Sequence, residues 1–377
     1  MIVGEKGKVD IKVKDGREAL AELASEFYGN PQKKLKLIGI TGTNGKTSTA
    51  IMLTTILNKA CRRAFYLGTL GNDFTTPDPV NLYKILTKAV KEKNEFIIME
   101  TTSQGLAQKR LHNLQFAIGV FTNLTQDHLD YHRNIEDYAD SKKILFQQSK
   151  IAVLNCDDKF SHEIAKDFKG KIIYYGKTDL KLKMPGEFNK HNAGAAEAVA
   201  LSLGVKKNII SEVLKKITIP GRFEPIDCGQ NFIVTVDYAH TPDALENILI
   251  NARKLTGKKI ILVFGCGGDR DRDKRPKMAR TATKLADYTI ITSDNPRTED
   301  PKQIFSDIKK GFVPSANYEL IADRREAINK AIKIAKKNDI VLIAGKGHED
   351  YQIIGTQKIH FDDREEVRKA LKICLKN

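Results

Sequence analysis

The sequence predicts an α/β fold, in which a central P-loop domain with a mostly parallel sheet precedes a C-terminal Rossmann-like domain. Three observations predict it. Strand-length apolar runs alternate with helical segments, a glycine-rich turn joins the first such run to a helix, and the alternation restarts after Ile219-Pro220-Gly221. In chain order, residues 17–27 form a helix, because Leu20, Leu23 and Phe27 recur at helical spacing and Gly29-Asn30-Pro31 ends it. The apolar run 35–40 is a buried strand that leads through the glycine-rich turn into a helix over 46–59. Strands follow at 96–99, 117–122 and 151–154, and 191–203 is an alanine-rich helix. Beyond the boundary, strands at 232–236, 259–264, 288–292 and 340–344 alternate with helices at 243–255, 276–286, 324–336 and 363–375. The expected division is 1–34 as an N-terminal remnant, linker and helix, 35–218 as the central domain, and 219–377 as the Rossmann-like domain.

Composition narrows the function classes. The chain has 377 residues, 41% hydrophobic and 29% charged, the mix of a water-soluble globular protein. No apolar run approaches the roughly 20 residues that a membrane helix needs. The first ten residues carry Glu5, Lys6, Lys8 and Asp10 and lack the apolar core of a secretory signal. Cys61, Cys156, Cys228, Cys266 and Cys374 are scattered, with no CxxC, which indicates neither zinc nor a disulfide framework and fits the cytoplasm. The net charge of +16 admits a nucleic-acid binder. The lysines are dispersed, however, and there is no Trp, so a solvated surface is the expectation, with neither nucleic acid nor membrane as partner.

Polar motifs stand at the ends of the strands. Gly42-Thr43-Asn44-Gly45-Lys46-Thr47, followed by Ser48, lies between a strand and a helix, where backbone N–H groups converge on an anion. Lys46 can reach the β/γ-phosphates of ATP and Thr47 can ligate Mg²⁺. The loop departs from a strict Walker A, since Ile40 stands where the first glycine would be. Glu100 ends the strand 96–99, at the edge where open parallel sheets bind ligands, and suits Mg²⁺. His128, in the polar stretch 123–130, is a candidate metal ligand, with a surface loop and helix cap as the alternative. In the second half, Asp237 to Pro242, Gly265 to Arg270, Asp294 to Arg297 and Gly345 to Glu349 each follow a strand. Four polar motifs on one sheet edge describe a binding cleft.

The strings TGTNGKTSTA (41–50), FTNLTQDHLDYH (121–132), DYADSKKILF (137–146), GEFNKHNA (186–193), GRFE (221–224), VDYAHTPDALE (236–246), FGCGGDRDRDKRP (264–276), DNPRTEDP (294–301) and AGKGHEDYQIIG (344–355), with the stretch 99–110, resemble the Mur ligase superfamily. Within it they are most similar to the members that add meso-diaminopimelate to UDP-N-acetylmuramoyl-L-alanyl-D-glutamate in peptidoglycan synthesis, hence in cell-wall biogenesis, shape and division. The resemblance implies a central ATPase, a C-terminal Rossmann-like domain, and amide-bond formation through an acyl-phosphate. It implies that Lys46 and Thr47 hold the phosphates and one Mg²⁺, and that Glu100 and His128 help bind metal. Lys142 matches the lysine that becomes carbamylated to serve a second Mg²⁺; by sequence alone it passes for a helix-surface lysine. Thr75, Thr76, Thr102, Gln108 and Arg110 match contacts to the muramoyl-peptide acceptor. Asn189, Asn192 and Arg222 match the adenine side, and Asp237 and His240 match a motif on the ATP side. Arg275, Asp294, Asn295, Arg297, Gly345 and Glu349 match the amino-acid pocket. Arg297 suits a bidentate clamp on the distal carboxylate of diaminopimelate and Glu349 the distal ammonium; lysine, lacking that carboxylate, would leave Arg297 unpaired.

The sequence departs from the family in four places. Residues 1–34 are too few for the family's UDP-binding domain, which is expected to be largely missing. The segment 158–186 is short where the family inserts a small sheet, Gln104 stands where histidine is frequent, and Ser293 where aspartate is. These departures leave the ATP chemistry and touch the acceptor. They imply weak hold on a UDP-linked substrate, a partner that supplies the missing domain, or a different acceptor. A folylpolyglutamate-type ligase is opposed by DNPR and GKGHED. A non-catalytic nucleotide-binding homologue is opposed by retention of Lys46, Glu100, His128 and Lys142.

Overall fold

The computed structural model describes residues 3–71, 74–125 and 131–375. The chain divides into two compact units, Met1–Leu182 with Phe188–Ile217, and Lys183–Glu187 with Thr218–Asn377.

The first unit is built on a six-stranded parallel sheet. In spatial order its strands are Ala64–Leu67, Phe96–Glu100, Lys36–Thr41, Phe116–Phe121, Ser149–Asn155 and Lys171–Tyr175. Lys36–Thr41 and Phe96–Glu100 are apolar along nearly their whole length because helices cover both faces of a parallel sheet. Register places Ile40 beside both Glu100 and Val120, so the ends of three strands come level. Leu37, Ile97, Met99, Phe116, Phe121 and Leu154 contribute to the core beneath them.

Strand edges and one helix face differ from the sequence expectation. The outer strands Ala64–Leu67 and Lys171–Tyr175 were not expected; each is short and only partly buried at a sheet edge. The helix Gly16–Phe27 forms, capped by the Asp15 carboxylate on the Arg17 and Glu18 N–H groups. Its packed side is Ala21, Ala24 and Ser25, small enough for close approach to the helix Pro79–Lys91. Leu20, Leu23 and Phe27, the residues whose spacing marked the helix, stand 43%, 52% and 83% exposed.

The second unit has a six-stranded sheet in the order Tyr318–Leu320, Tyr288–Ile291, Ile260–Phe264, Ile340–Ala344, Ile233–Asp237 and Glu224–Pro225. All neighbours are parallel except the last pair. The edge strands Tyr318–Leu320 and Glu224–Pro225 are again short ones without an apolar signature. A separate hairpin, Tyr351–Ile354 with Gln357–His360, follows the sheet and was not expected either. Among the described residues, no helix is long and apolar enough to cross a membrane.

Candidate functional site

In the first unit the glycine-rich turn leaves the strand Lys36–Thr41 and enters the helix Lys46–Lys59. Its shape requires glycine at two positions. Gly42 has φ +146°, and a Cβ there would lie 1.9 Å from the Thr122 hydroxyl; Gly45 has φ +87°, and its Cβ would meet Asn192 Oδ1 at 2.2 Å. The turn is pinned from the neighbouring strand end. Asn44 N–H donates to Asn123 Oδ1 at 2.9 Å, and Asn44 O accepts from the Thr122 hydroxyl at 2.7 Å and Asn123 Nδ2 at 3.0 Å. The Thr43 hydroxyl donates to Thr125 O at 3.1 Å and accepts from the Tyr138 hydroxyl at 3.1 Å. Lys46 Nζ donates back to the carbonyls of Gly42 and Thr43, 2.8 Å each, which suspends its charge over the turn. Thr47 and Ser48 are buried in the first helical turn.

Glu100 ends its strand only 1% exposed. A buried carboxylate is tolerable when donors surround it. Here Thr47 Oγ1 donates at 2.9 Å, Thr69 N–H at 3.0 Å, Thr69 Oγ1 at 3.3 Å, and the Tyr66 hydroxyl also donates. The same strand end gathers the candidate acceptor residues. Thr76 donates its hydroxyl to Glu100 O at 3.0 Å and accepts from Thr102 N–H and the Thr102 hydroxyl, both at 3.0 Å. Arg110 Nη1 donates to Thr76 O at 2.7 Å and its Nε to Gln108 Oε1 at 2.9 Å. Thr75 shares a 3.0 Å hydroxyl contact with Thr69. All five residues therefore stand around the end of one strand.

Lys142 overturns the surface reading: it is 1% exposed on the helix Ile135–Gln147, with Nζ 4.0 Å from the Tyr138 ring centroid. His128 lies outside the described residues. His132, which the sequence reading passed over, is 2% exposed, with Nε2 3.0 Å from Ser103 Oγ and Nδ1 3.5 Å from Asp137. Asn189 and Asn192 are buried on the helix Glu187–Ser202, 3.5 Å apart side chain to side chain, with Asn192 against the phosphate-loop glycine. Among the described residues no three His, Cys, Asp or Glu side chains gather as a metal cage. The hard oxygens of Thr47 and Glu100 nonetheless fit Mg²⁺, which keeps several waters and takes few protein ligands.

The second unit brings two groups to its strand ends. In the first, buried Asp237 accepts from Phe223 N–H at 2.6 Å and Ala239 N–H at 2.7 Å. Burial pushes its carboxyl upward, against the Arg222 guanidinium, which opposes the shift. Arg222 lies 5.0 Å from the Tyr238 ring. His240 hydrogen-bonds Tyr238 O through Nδ1 at 2.8 Å, and burial pulls its imidazole downward. His348 packs on Tyr238, its ring centroid 4.9 Å away, and is depressed to about 4, by burial first and then by the Arg222 and Arg364 charges. Burial pushes the Cys266 thiol up to about 12.

The second group joins Asp294, Asn295, Arg297, Gly345 and Glu349. Asn295 Nδ2 donates to Glu349 Oε2 at 2.9 Å, and a Cβ on Gly345 would fall 2.8 Å from Asp294 Oδ2. Lys346, absent from the sequence-based set, sits among them at 0% exposure. Its Nζ donates to Asn295 Oδ1 at 3.1 Å and Glu349 Oε2 at 3.3 Å, 3.7 Å from Asp294. Its place inside the Gly345 to Glu349 motif was the available signal. Arg297 is half buried and donates from Nη1 to Gly268 O at 2.8 Å.

Arg275 corrects the pocket assignment. Its side chain is fully buried and its guanidinium is committed to Glu299, at 2.6 and 2.8 Å, and to Asp307, at 3.0 Å. It braces the turn carrying Arg297 instead of presenting itself to a ligand. Arg324, also missed, is fully buried against Asp363 through two 2.7 Å bonds and donates to Ala344 O at 3.0 Å.

A phosphate-binding turn at a strand–helix junction, paired with a Rossmann-like unit whose strand ends carry polar loops, defines a P-loop enzyme that uses a nucleoside triphosphate. The Mur ligase middle domain matches residues 40–197, and the Mur ligase, glutamate ligase domain matches residues 221–347. The chain is 42% identical over 402 residues to the UDP-N-acetylmuramoyl-L-alanyl-D-glutamate--2,6-diaminopimelate ligase of Clostridium botulinum (strain ATCC 19397 / Type A), covering 96% of this chain and 83% of that protein. A solved structure of a ligase of the same name is 34% identical, with a TM-score of 0.67, covering 98% of this chain and 86% of that one. Folylpolyglutamate synthase of Mycobacterium tuberculosis, complexed with ADP and AMPPCP, is 17% identical with a TM-score of 0.69, over 87% and 92% of the two chains, and shares the fold. This chain belongs to the Mur ligase family and is an ATP-dependent ligase.

The depressed histidines carry a pH signature. In the unfolded chain His348 titrates near 6.5, and in the folded chain near 4. Between those values the unfolded state binds the proton more readily, so stability is present above pH 6.5 and falls as pH drops toward 4. His240 moves in the same direction. The urea midpoint is therefore lower at pH 5 than at pH 7.5, and His348→Gln narrows that gap; an equal gap in both proteins would contradict the assignment.

Proposed function

We propose that the chain joins meso-diaminopimelate to the D-glutamyl carboxylate of UDP-N-acetylmuramoyl-L-alanyl-D-glutamate, in peptidoglycan synthesis. The observation that carries this reading is the cluster of Asn295, Arg297, Lys346 and Glu349 on the strand ends of the second unit, where Asn295 and Lys346 hold the Glu349 carboxylate and Gly268 O holds the Arg297 guanidinium. Such a pair suits an amino acid whose distal end bears both an ammonium and a carboxylate. The relatives' names point to the same substrates.

The acceptor carboxylate attacks the γ-phosphorus of ATP, and ADP departs with the β–γ bridging oxygen. Backbone N–H groups of the Gly42–Thr47 turn and the Lys46 ammonium hold the phosphates and offset the charge that gathers there. Thr75, Thr76, Thr102, Gln108 and Arg110 orient the acceptor beside the turn. The amine of diaminopimelate then attacks the acyl-phosphate carbon, a tetrahedral intermediate collapses, and phosphate leaves as the amide forms; the surplus amine proton passes to solvent. Asn189 and Asn192 attend the nucleotide. Asp294, Asn295, Arg297, Gly345 and Glu349 hold the amino acid, with Arg275 as a brace.

Thr47 and Glu100 would hold one Mg²⁺ and carbamylated Lys142 a second, with His128 as a further metal ligand. Bound Mg²⁺ would screen phosphate charge and polarise the transferring group. Addition of CO₂ to the neutral Lys142 amine forms a C–N bond, releases one proton and turns a cation into a carbamate with hard oxygens. The burial of Lys142 supports this, because an interior position is costly for a permanent ammonium.

Phosphate release from ATP tests the reading. Release is expected only when the muramoyl dipeptide and diaminopimelate are both present, at least tenfold faster than with lysine, and Lys46→Ala abolishes it. Protein that binds ATP yet releases no phosphate with that pair would overturn the acceptor assignment. Lys142→Ala is expected to lose at least a hundredfold in kcat and to recover partly with added acetate. Full activity without added carboxylate would remove the carbamate.

A further inference from the structure

The hairpin of Tyr351–Ile354 and Gln357–His360 stands apart from the six-stranded sheet of its unit. Ile354 and Ile359 on it are 51% and 42% exposed, so packing its apolar surface does not account for it. Its polar contacts run to the loop 294–297. Arg297 N–H donates to Ile353 O at 3.1 Å, and Gly355 N–H donates to Arg297 O at 2.7 Å. These bonds make a parallel bridge between Arg297 and Ile354. Ile353 N–H donates to Asn295 Oδ1 at 2.9 Å, and Gln352 Nε2 donates to Asp294 O at 2.6 Å.

Arg297 has φ +53°, a left-handed conformation that a residue with a Cβ adopts only when its surroundings impose it. The hairpin supplies the imposition, gripping Arg297 by its N–H on one side and its carbonyl on the other. Asn295 is fixed by the same segment, since its Oδ1 receives both Ile353 N–H and Lys346 Nζ. Gln352 is the one side chain of the hairpin in this set of contacts. It is 7% exposed, and its amide ties the start of the loop to the strand that carries the grip.

We infer that the hairpin is the template that sets the pose of Arg297 and Asn295, and that Gln352 is a positioning residue for selection of the amino-acid substrate. This rests on the reading of Arg297 as the group that binds the distal carboxylate. A guanidinium held in place before binding loses little freedom when a carboxylate arrives. If the loop slackens, the substrate with the second carboxylate loses more than lysine does.

Gln352→Glu keeps the shape and turns the donor into an oxygen facing Asp294 O; Gln352→Met keeps the volume and removes the donor without adding charge. Each is assayed with diaminopimelate and lysine beside Arg297→Ala. The expected result is a fall of at least tenfold in kcat/KM for diaminopimelate, mostly in KM, with the KM for ATP within twofold and the diaminopimelate-to-lysine ratio reduced as in Arg297→Ala. If Arg297→Ala collapses the ratio while both Gln352 variants keep it, or lower both substrates equally, the hairpin inference is overturned and Arg297 keeps its role. An unchanged ratio in Arg297→Ala would remove the reading of Arg297, and the inference with it.

Discussion

Burying Glu100 obliges the first unit to bring four donors to the end of a single strand. Thr47 arrives from the phosphate-loop helix, and Tyr66 and Thr69 from the neighbouring strand and the turn after it. Each donor would be lost if its segment moved, and an ionised carboxylate left without donors in the interior is costly. The constraint reaches further through the backbone. Glu100 O receives Thr76, which receives Thr102, and Arg110 closes on Thr76 O. The phosphate loop and the candidate acceptor residues are thus fixed by one chain of hydrogen bonds that starts at a metal-competent carboxylate.

The second unit achieves rigidity with buried cations. Arg324, Arg275 and Lys346 are each fully buried, and each is paired with carboxylates of the same unit. Buried pairs of this kind are weak contributors to net stability, but removing one partner is expensive, so they penalise alternative loop arrangements. Arg275 holds Glu299 and Asp307, Arg324 holds Asp363 and the end of the strand Ile340–Ala344, and Lys346 holds Asn295 and Glu349. The proposed pocket, which would tell diaminopimelate from lysine by one distant carboxylate, depends on such fixed geometry.

The central strands and the loops at their ends were legible in the sequence because parallel, doubly covered strands are continuous apolar runs and their C-terminal ends carry glycine and polar residues. The helix Lys46–Lys59 and the strand Ile340–Ala344 match their expected bounds to the residue. Edge strands such as Lys171–Tyr175 and the exposed hairpin were not legible, since each lacks a buried face of sufficient length. Spacing found the helix Gly16–Phe27 but not its packed side, which small residues choose by fit. Charged side chains were the hardest to place. Lys142, Arg275, Arg324 and Lys346 look like surface residues in a lysine-rich chain, and only the fold shows the ring or carboxylates that bury them. Family resemblance placed Lys142 and Arg275 at the site; the coordinates separate a buried amine beside an aromatic ring from a guanidinium that serves as a brace.

The proposed ligation requires that the acceptor carboxylate be phosphorylated before the amine attacks. Supplying the acceptor with ¹⁸O in its D-glutamyl carboxylates and analysing the released phosphate by mass spectrometry tests it most directly. An acyl-phosphate route puts one ¹⁸O in each phosphate released, because the carboxylate oxygen that bridges to phosphorus leaves with it. Unlabelled phosphate released together with amide product would show that the carboxylate is activated in another way and would rule out the acyl-phosphate.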